Sequence, residues 1–306
     1  MKLVCVSKPI KLREKKSSDN VHLFTQYFIP SNKHRHDELK KCLKLNALNR
    51  DVYKIHLLVE RTYTISELGT SSDKIIQTVI GKRLTFQEVF MYIRTNRICG
   101  YLVLLNSDIC FASTALINLK RSELHIKKQA LALLRYEYNW TEPTNSVIFG
   151  PRFDSQDTWI FHSNYIIPSN AEKIFNFEYG RPGCDNKIIY LMAILGYDVI
   201  NDPQCIQTYH IHHSKQRSYS MKDSLQLPCG VVIPSGIDPR SIKSNLGINM
   251  KEVYHSTKGF TEIMFSDNKI LFDYIQQKID ANQPFILPRI SGIENNVAIF
   301  TRVIRD

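Results

Sequence analysis

The chain of 306 residues is 43% hydrophobic, which supplies a full core for one large domain or two smaller ones. No apolar run approaches the ~18 residues that span a bilayer, and the start from Met1 to Lys8 is too short in its apolar part for a secretory signal, so a cytoplasmic protein is expected. The formal charge of +11 favours anionic partners, while seven scattered cysteines without a Cys-x-x-Cys pair argue against a zinc ribbon or disulfide framework and read as small apolar fillers.

Residues 1–20 are polar and lysine-rich, and then the pattern changes. A strand is predicted over 21–29, an amphipathic helix over 37–49 with Leu39, Cys42, Leu43 and Leu45 to one side, and a strand over 54–59, giving a βαβ opening. A third strand follows at 74–80. The helix over 85–96 has Thr85 as N-cap, Glu88 as its capping-box partner, and Val89, Phe90 and Ile93 facing inward. Residues 101–105 form a fourth strand, and a short one follows a turn at 109–111. Strands at 130–136 and 158–161, a helix at 187–195, the helix-ending Gly196 and a strand at 197–201 complete the series.

This alternation points to an α/β fold with a mostly parallel sheet and helices on both faces. The Pro-, Gly- and Ser-rich stretch 214–238 marks the end of that domain. The expected division is a polar segment 1–20, a main domain 21–220, a linker 221–250 and a small C-terminal extension 251–306, with a helix at 268–281 and a strand starting at 285. The densest basic clusters, 11–16 and 34–44, read as a solvated tail and a solvated helix face, and no reader motif accompanies them, so nucleic acid is not expected as a partner.

Open α/β sheets bind ligands outside the carboxyl ends of their strands. Polar groups fall at four predicted strand ends or turns: Thr25 to Tyr27, Glu60, Asn106-Ser107-Asp108, and His210, His212 and His213. In a parallel sheet the first three converge on one edge. Asp108 serves equally well as a turn former before the 109–111 strand. His210 and His212, two apart on an extended segment, point to the same side and suit a metal pair or a phosphate contact; the alternative is a surface strand that carries them by chance. Mixed oxygen and nitrogen ligands from Asp108 and a histidine suit Mn2+ or Mg2+ better than a structural zinc. An ion so held would bridge two phosphates and neutralise a departing diphosphate. Asp185 stands where a helix N-cap is expected and Asp157 where a turn residue is expected, and either is a candidate general base.

In this order the chain resembles a nucleotide-sugar glycosyltransferase of the GT-A fold, over residues 21 to about 220. The stretches LFTQYFIP, LLNSDICF, SQDTWIF, GRPGCDNKI and TYHIHHS are similar to those of glycosyltransferase-like proteins of large DNA viruses and bacteria. The resemblance places Asn106-Ser107-Asp108 at the Asp-x-Asp metal motif, with Asn106 replacing the first acid. It implies that Thr25, Tyr27, Glu60, Arg83, Asn106, Ser107 and Asp108 contact the donor, and that Asp108 with His210 or His212 holds Mn2+ or Mg2+. It also implies that Asp185, or next Asp157, is the acceptor base, and inversion of the anomeric centre follows if Asp185 has that role. The implied partners are a UDP- or GDP-sugar donor and a glycan acceptor. Residues 284–294 resemble an Arg-x-Gly-x-Glu stretch of a second glycosyltransferase fold, which would make the tail the start of another domain. A nucleotidyltransferase acting on sugar phosphates is the alternative enzyme, but it normally needs a glycine-rich phosphate loop and two metal carboxylates that are not evident here. A non-catalytic glycan- or nucleotide-binding module would make the acids and histidines structural.

Overall fold

A computed structural model describes residues 19–150, 154–214, 219–225, 229–232 and 234, together with three strands between 261 and 301. The first strand, β1 (Val21–Thr25), is followed by helix α1 (Lys33–Leu48), β2 (Val52–Val59), the short α2 (Ile65–Leu68), β3 (Ile75–Val79) and α3 (Phe86–Thr95). Next come β4 (Tyr101–Leu105), β5 (Ile109–Phe111), α4 (Ala115–Arg121), β6 (Gln129–Leu133), β7 (Tyr136–Glu137) and β8 (Val147–Ile148). The series continues with β9 (Thr158–His162), α5 (Cys184–Ile194), β10 (Asp198–Ile200), β11 (Thr208–His210) and β12 (Cys229–Val232).

Seven strands form one sheet in the order β10-β6-β9-β4-β1-β2-β3. All neighbours are parallel except β9, which runs antiparallel to both β4 and β6. This is the mixed, mostly parallel Rossmann-like sheet expected of a GT-A-like fold. The period of two along β4 divides its side chains between two cores. Leu102 and Leu104 join the helices α3 and α5 on one face, while Tyr101, Val103 and Leu105 join α1 and α4 on the other. Strand β2 lies to one side of β1 and β4 to the other, so the chain order reverses there, and a ligand crevice is expected at the carboxyl ends of these strands.

The capping box predicted for α3 is present: Thr85 accepts from the Glu88 amide, and Glu88 accepts from the Thr85 amide. Several expectations are corrected: the strand expected over 21–29 ends at Thr25, and the helix expected over 37–49 starts at Lys33 behind the Asn32 cap. The strand predicted over 130–136 ends at Leu133, and Tyr136–Glu137 turns away into a second sheet of order β5-β11-β7-β8. Asp185 is not an N-cap: Gly183, at φ +81°, caps α5 with no side-chain bond, which leaves Asp185 inside the first turn.

Within the stretch expected as a linker, β12 lies against the main domain. Asn186 Nδ2 donates to the Gly230 carbonyl at 3.2 Å, and Asn201 Nδ2 donates to that of Val232 at 3.2 Å. Strand β12 begins a sheet with β13 (Thr261–Phe265), β14 (Arg289–Glu294) and β15 (Val297–Thr301), in which β14 pairs antiparallel with β15. The helix predicted at 268–281 and the strand start at 285 lie outside the described residues, as does most of segment 1–20. No described helix is long and apolar enough to cross a membrane.

Cys42, Cys110, Cys184 and Cys205 are buried as apolar fillers. A buried histidine pair bridges β1 and β2, with His22 Nδ1 3.0 Å from His56 Nε2. Burial, then the nearby Lys54 charge, lowers His22 from 6.5 to about 4. Burial, then His22, lowers His56 to about 3. Both are neutral in the fold at neutral pH. Below pH 6.5 the unfolded chain takes up protons that the fold refuses, so stability falls between pH 6.5 and 4, by about 3 kcal/mol for His22 alone. Urea unfolding at pH 7 and pH 4.5 is expected to show a smaller pH-dependent loss in His22→Gln than in the parent; an equal loss would contradict this origin.

Candidate functional site

The carboxyl ends of β1 and β4 meet α1 around a narrow, mostly apolar cleft with room for about one water molecule, lined by Thr25, Tyr27, Asn46, Asn106 and Ser107 together with core residues such as Leu23, Leu43, Ile55, Leu57 and Leu105. Beyond β4 the chain turns through Asp108 into β5, which pairs antiparallel with β11 in the register His210 to Ile109. The Ile211 amide donates to the Asp108 carbonyl at 2.9 Å. This pairing brings the histidine segment to Asp108. The Asp108 Oδ2 atom lies 3.3 Å from His210 Nε2 and 3.9 Å from His212 Nδ1. The two rings do lie on one side, their centroids 5.2 Å apart. The His213 side chain is exposed, and its backbone amide donates to Glu38 at 2.7 Å.

Helix α1 supports this arrangement with residues of its inward stripe. Arg35, Glu38, Leu39 and Cys42 follow the three- and four-residue steps of one helix face, and all are buried. The expectation of a solvated face over 34–44 is corrected for Arg35, which is 8% exposed. Its guanidinium bonds Asp108 Oδ2, Glu38 Oε2 at 2.9 Å and the Ile211 carbonyl at 3.1 Å. Glu38 also accepts from the amides of His213 and Ser214. About two turns beyond Glu38, the Asn46 amide group bonds the backbone of β5 in both directions, at Ile109 and Phe111.

The network continues from His210. Its Nδ1 lies 3.0 Å from Glu137 Oε2, Glu137 accepts from Arg135 at 3.0 Å, and Arg135 donates to Asp157 at 2.5 Å. Asp157 also accepts from the Asn106 side chain at 2.8 Å. Asp185 accepts from its neighbour's amide at 3.0 Å and from the Gln156 amide at 3.3 Å. A continuous polar path thus runs from Arg35 through Asp108, His210, Glu137 and Arg135 to Asp157, whose charge is felt at Asp185.

Charge tunes these groups in opposite directions. Burial would raise the Asp108 carboxyl, but the charges of His210 and Arg35 and their hydrogen bonds outweigh it and hold Asp108 far below the usual carboxylate range. Burial would lower His210, yet Asp108 raises it to about 9. Burial and the Arg35 charge lower His212, which favours its neutral form. Burial, then the Asp157 charge, raises Asp185 from 3.8 to about 7.

The sequence-predicted residues therefore separate. Asp108, His210 and His212 form one cluster, with candidate ligand atoms all within 4.8 Å of one another, and Asn106, Asp157 and Asp185 form the other end of the path. Thr25 and Ser107 line the cleft. Tyr27 lends its ring to the cleft, but its hydroxyl is spent on the Glu67 carbonyl at 2.7 Å and on His36 at 2.9 Å. Glu60 is exposed beyond β2. Arg83 is held outside the network by Glu178 at 3.5 Å and the Tyr179 carbonyl at 3.2 Å. Sequence reasoning missed Arg35, Glu38, Arg135 and Glu137. Only Glu38 lay on the inward stripe of the expected helix; Arg35 precedes its expected start, and Arg135 and Glu137 fall where the chain leaves β6 for β7.

The residue types suit a divalent ion, which would have to displace the proton of His210 and the Arg35 bond to Asp108. One carboxylate and two imidazoles converge, with His212 turning Nδ1 toward Asp108 at 3.9 Å while its other nitrogen, Nε2, is buried with no hydrogen-bond partner among the described residues.

No protein-family model and no curated protein matches the chain. Among solved structures it is similar to a 4-diphosphocytidyl-2C-methyl-D-erythritol synthase at 12% identity and a TM-score of 0.40, covering 67% of this chain and 95% of that one. It is also similar to a mannosyltransferase from Pyrobaculum calidifontis in complex with GDP-Man and Mn2+, at 12% identity and a TM-score of 0.42, covering 65% of this chain and 58% of that one.

Proposed function

We propose that the chain is a metal-assisted glycosyltransferase that moves a sugar from a UDP- or GDP-sugar to a glycan hydroxyl. The observation that carries this reading is the convergence of Asp108, His210 and His212 beside the switch point of the sheet. In this reading Asp108 and the two histidines hold the ion, and the two imidazoles favour Mn2+ over Mg2+. A bound ion supplies charge neutralisation for the departing diphosphate.

The remaining steps belong to the protein. Thr25, Asn106 and Ser107, at the carboxyl ends of β1 and β4, meet the donor on the outside of the sheet edge, and Glu60 and Arg83 are its further contacts. Asp185 accepts the proton of the acceptor hydroxyl. That oxygen bonds to the anomeric carbon as the bond from the carbon to the phosphate oxygen breaks, and the nucleoside diphosphate leaves with the electron pair. Asp157 serves through Asp185: burial and then the Asp157 charge raise that carboxyl to about 7, where a base works best at physiological pH.

The test is release of nucleoside diphosphate from a panel of UDP- and GDP-sugars, with oligosaccharide acceptors and Mn2+ or Mg2+. Turnover with Mn2+ above Mg2+ is expected. No turnover of any donor with either ion would overturn the reading, and pyrophosphate release from nucleoside triphosphate and sugar phosphate would replace it with a nucleotidyltransferase.

A further inference from the structure

The oxygen that the metal reading assigns to the ion already carries a cation. Arg35 bonds Asp108 Oδ2, and the same atom faces both histidine rings. A divalent ion on that oxygen would stand within a few ångströms of a buried guanidinium, where like charges repel strongly. Arg35 has somewhere else to stay. Its bonds to Glu38 and the Ile211 carbonyl do not involve Asp108, so releasing Asp108 leaves the guanidinium paired inside the fold.

We propose that Arg35 is a tethered competitor of the metal: it holds Asp108 in place before the ion enters, gives up Asp108 Oδ2 when the ion binds, and so sets the affinity of the site. This rests on the metal reading above. The charge balance adds a consequence. The ion balances the network of Asp108, Glu38, Glu137 and Asp157 with Arg35 and Arg135, yet the retained Arg35 still stands beside the ion, and a diphosphate there offsets these two neighbouring cations. Metal and nucleoside diphosphate therefore bind synergistically, and Arg35 is the residue that makes the ion wait for the nucleotide. It is a positioning residue, acting through Asp108.

The experiment is a Mn2+ titration followed by electron paramagnetic resonance, with and without UDP or GDP, on the full chain and its variants. The parent is expected to bind Mn2+ weakly alone and more tightly with a nucleoside diphosphate. Arg35→Met is expected to bind Mn2+ alone about tenfold more tightly or better, with a smaller nucleotide effect, while Arg35→Lys, which keeps the charge, retains the parent's behaviour. A merely structural Arg35 would give weaker binding in both. Arg35→Met/Glu38→Gln is measured in parallel, because it leaves no unpaired buried charge and keeps an acceptor for the His213 and Ser214 amides. Tightening in either Met variant supports the proposal. Unchanged or weaker Mn2+ binding in both, with binding still lost in Asp108→Asn, overturns it and leaves the metal reading standing. Mn2+ binding that is absent throughout, or indifferent to Asp108→Asn, overturns both.

Discussion

Asp108→Asn is expected to abolish metal-dependent donor binding and to lower kcat/KM by about a hundredfold or more. Asparagine keeps the shape of the side chain and an oxygen for Arg35, so the turn into β5 survives. What it removes is the charge on which Arg35, His210 and His212 converge. His210 is then expected to lose the interaction that raises it to about 9. The stability loss is expected to be on the order of 1–3 kcal/mol, because Arg35 keeps Glu38 as a partner. Asp108→Ala leaves the guanidinium with less compensation and approaches the larger loss typical of a broken buried pair, about 3–5 kcal/mol. Activity measured well below the melting temperature, beside circular dichroism of the same sample, separates the two effects. Full activity in a folded Asp108→Asn protein would remove Asp108 from the donor site.

Asp185→Asn is the second large effect, and it differs in kind. Mn2+ and donor binding are expected to persist, while kcat falls by on the order of 10²–10⁴, the usual contribution of a general base. The pH profile carries the sharper signature. Burial and the charge of Asp157 raise Asp185 to about 7, and a base works only when ionised. The parent's kcat should therefore rise with pH through about 7 and then level, and the variant should lack that limb. The same shift has a structural price: a carboxyl that ionises at 3.8 in the unfolded chain but near 7 in the fold opposes folding increasingly as pH rises from 3.8 to 7. Asp185→Asn is accordingly expected to be more stable than the parent at pH 8, and less distinct from it at pH 4. Parent-like kcat, or a slow variant that keeps the limb near 7, would assign the base elsewhere.

Most of the sheet was legible because its signals are local. Tyr101–Leu105 reads directly as a buried strand, and Thr85 with Glu88 announces the start of α3. The carboxyl-edge placement of Thr25 and Asn106 followed from parallel strands alone. His210 and His212 were legible as a same-side pair from their spacing. Their partner was not. Strands β5, β7 and β11 have two or three residues each, too few for periodicity to reveal the second sheet that carries the histidines to Asp108 and Glu137. Arg35 reaches Asp108 across 73 positions and Ile211 across 176, and no local pattern encodes such pairings. The inward stripe of α1 did contain the clue. Glu38 continues the line of Leu39 and Cys42 and was hidden by its charge, whereas Arg35 lies ahead of the expected start at 37, in the first turn that Asn32 caps.

The central claim is that Asp108 and the two histidines form the metal end of a nucleotide-sugar site. Calorimetric titration of the parent and of Asp108→Asn with UDP- and GDP-sugars, each with and without Mn2+, tests it most directly. The account predicts that at least one donor binds the parent in the presence of Mn2+, binds far more weakly without it, and loses the Mn2+ dependence in Asp108→Asn. Donor binding of equal strength with and without Mn2+ in both proteins, or no donor binding under any of these conditions, would contradict it.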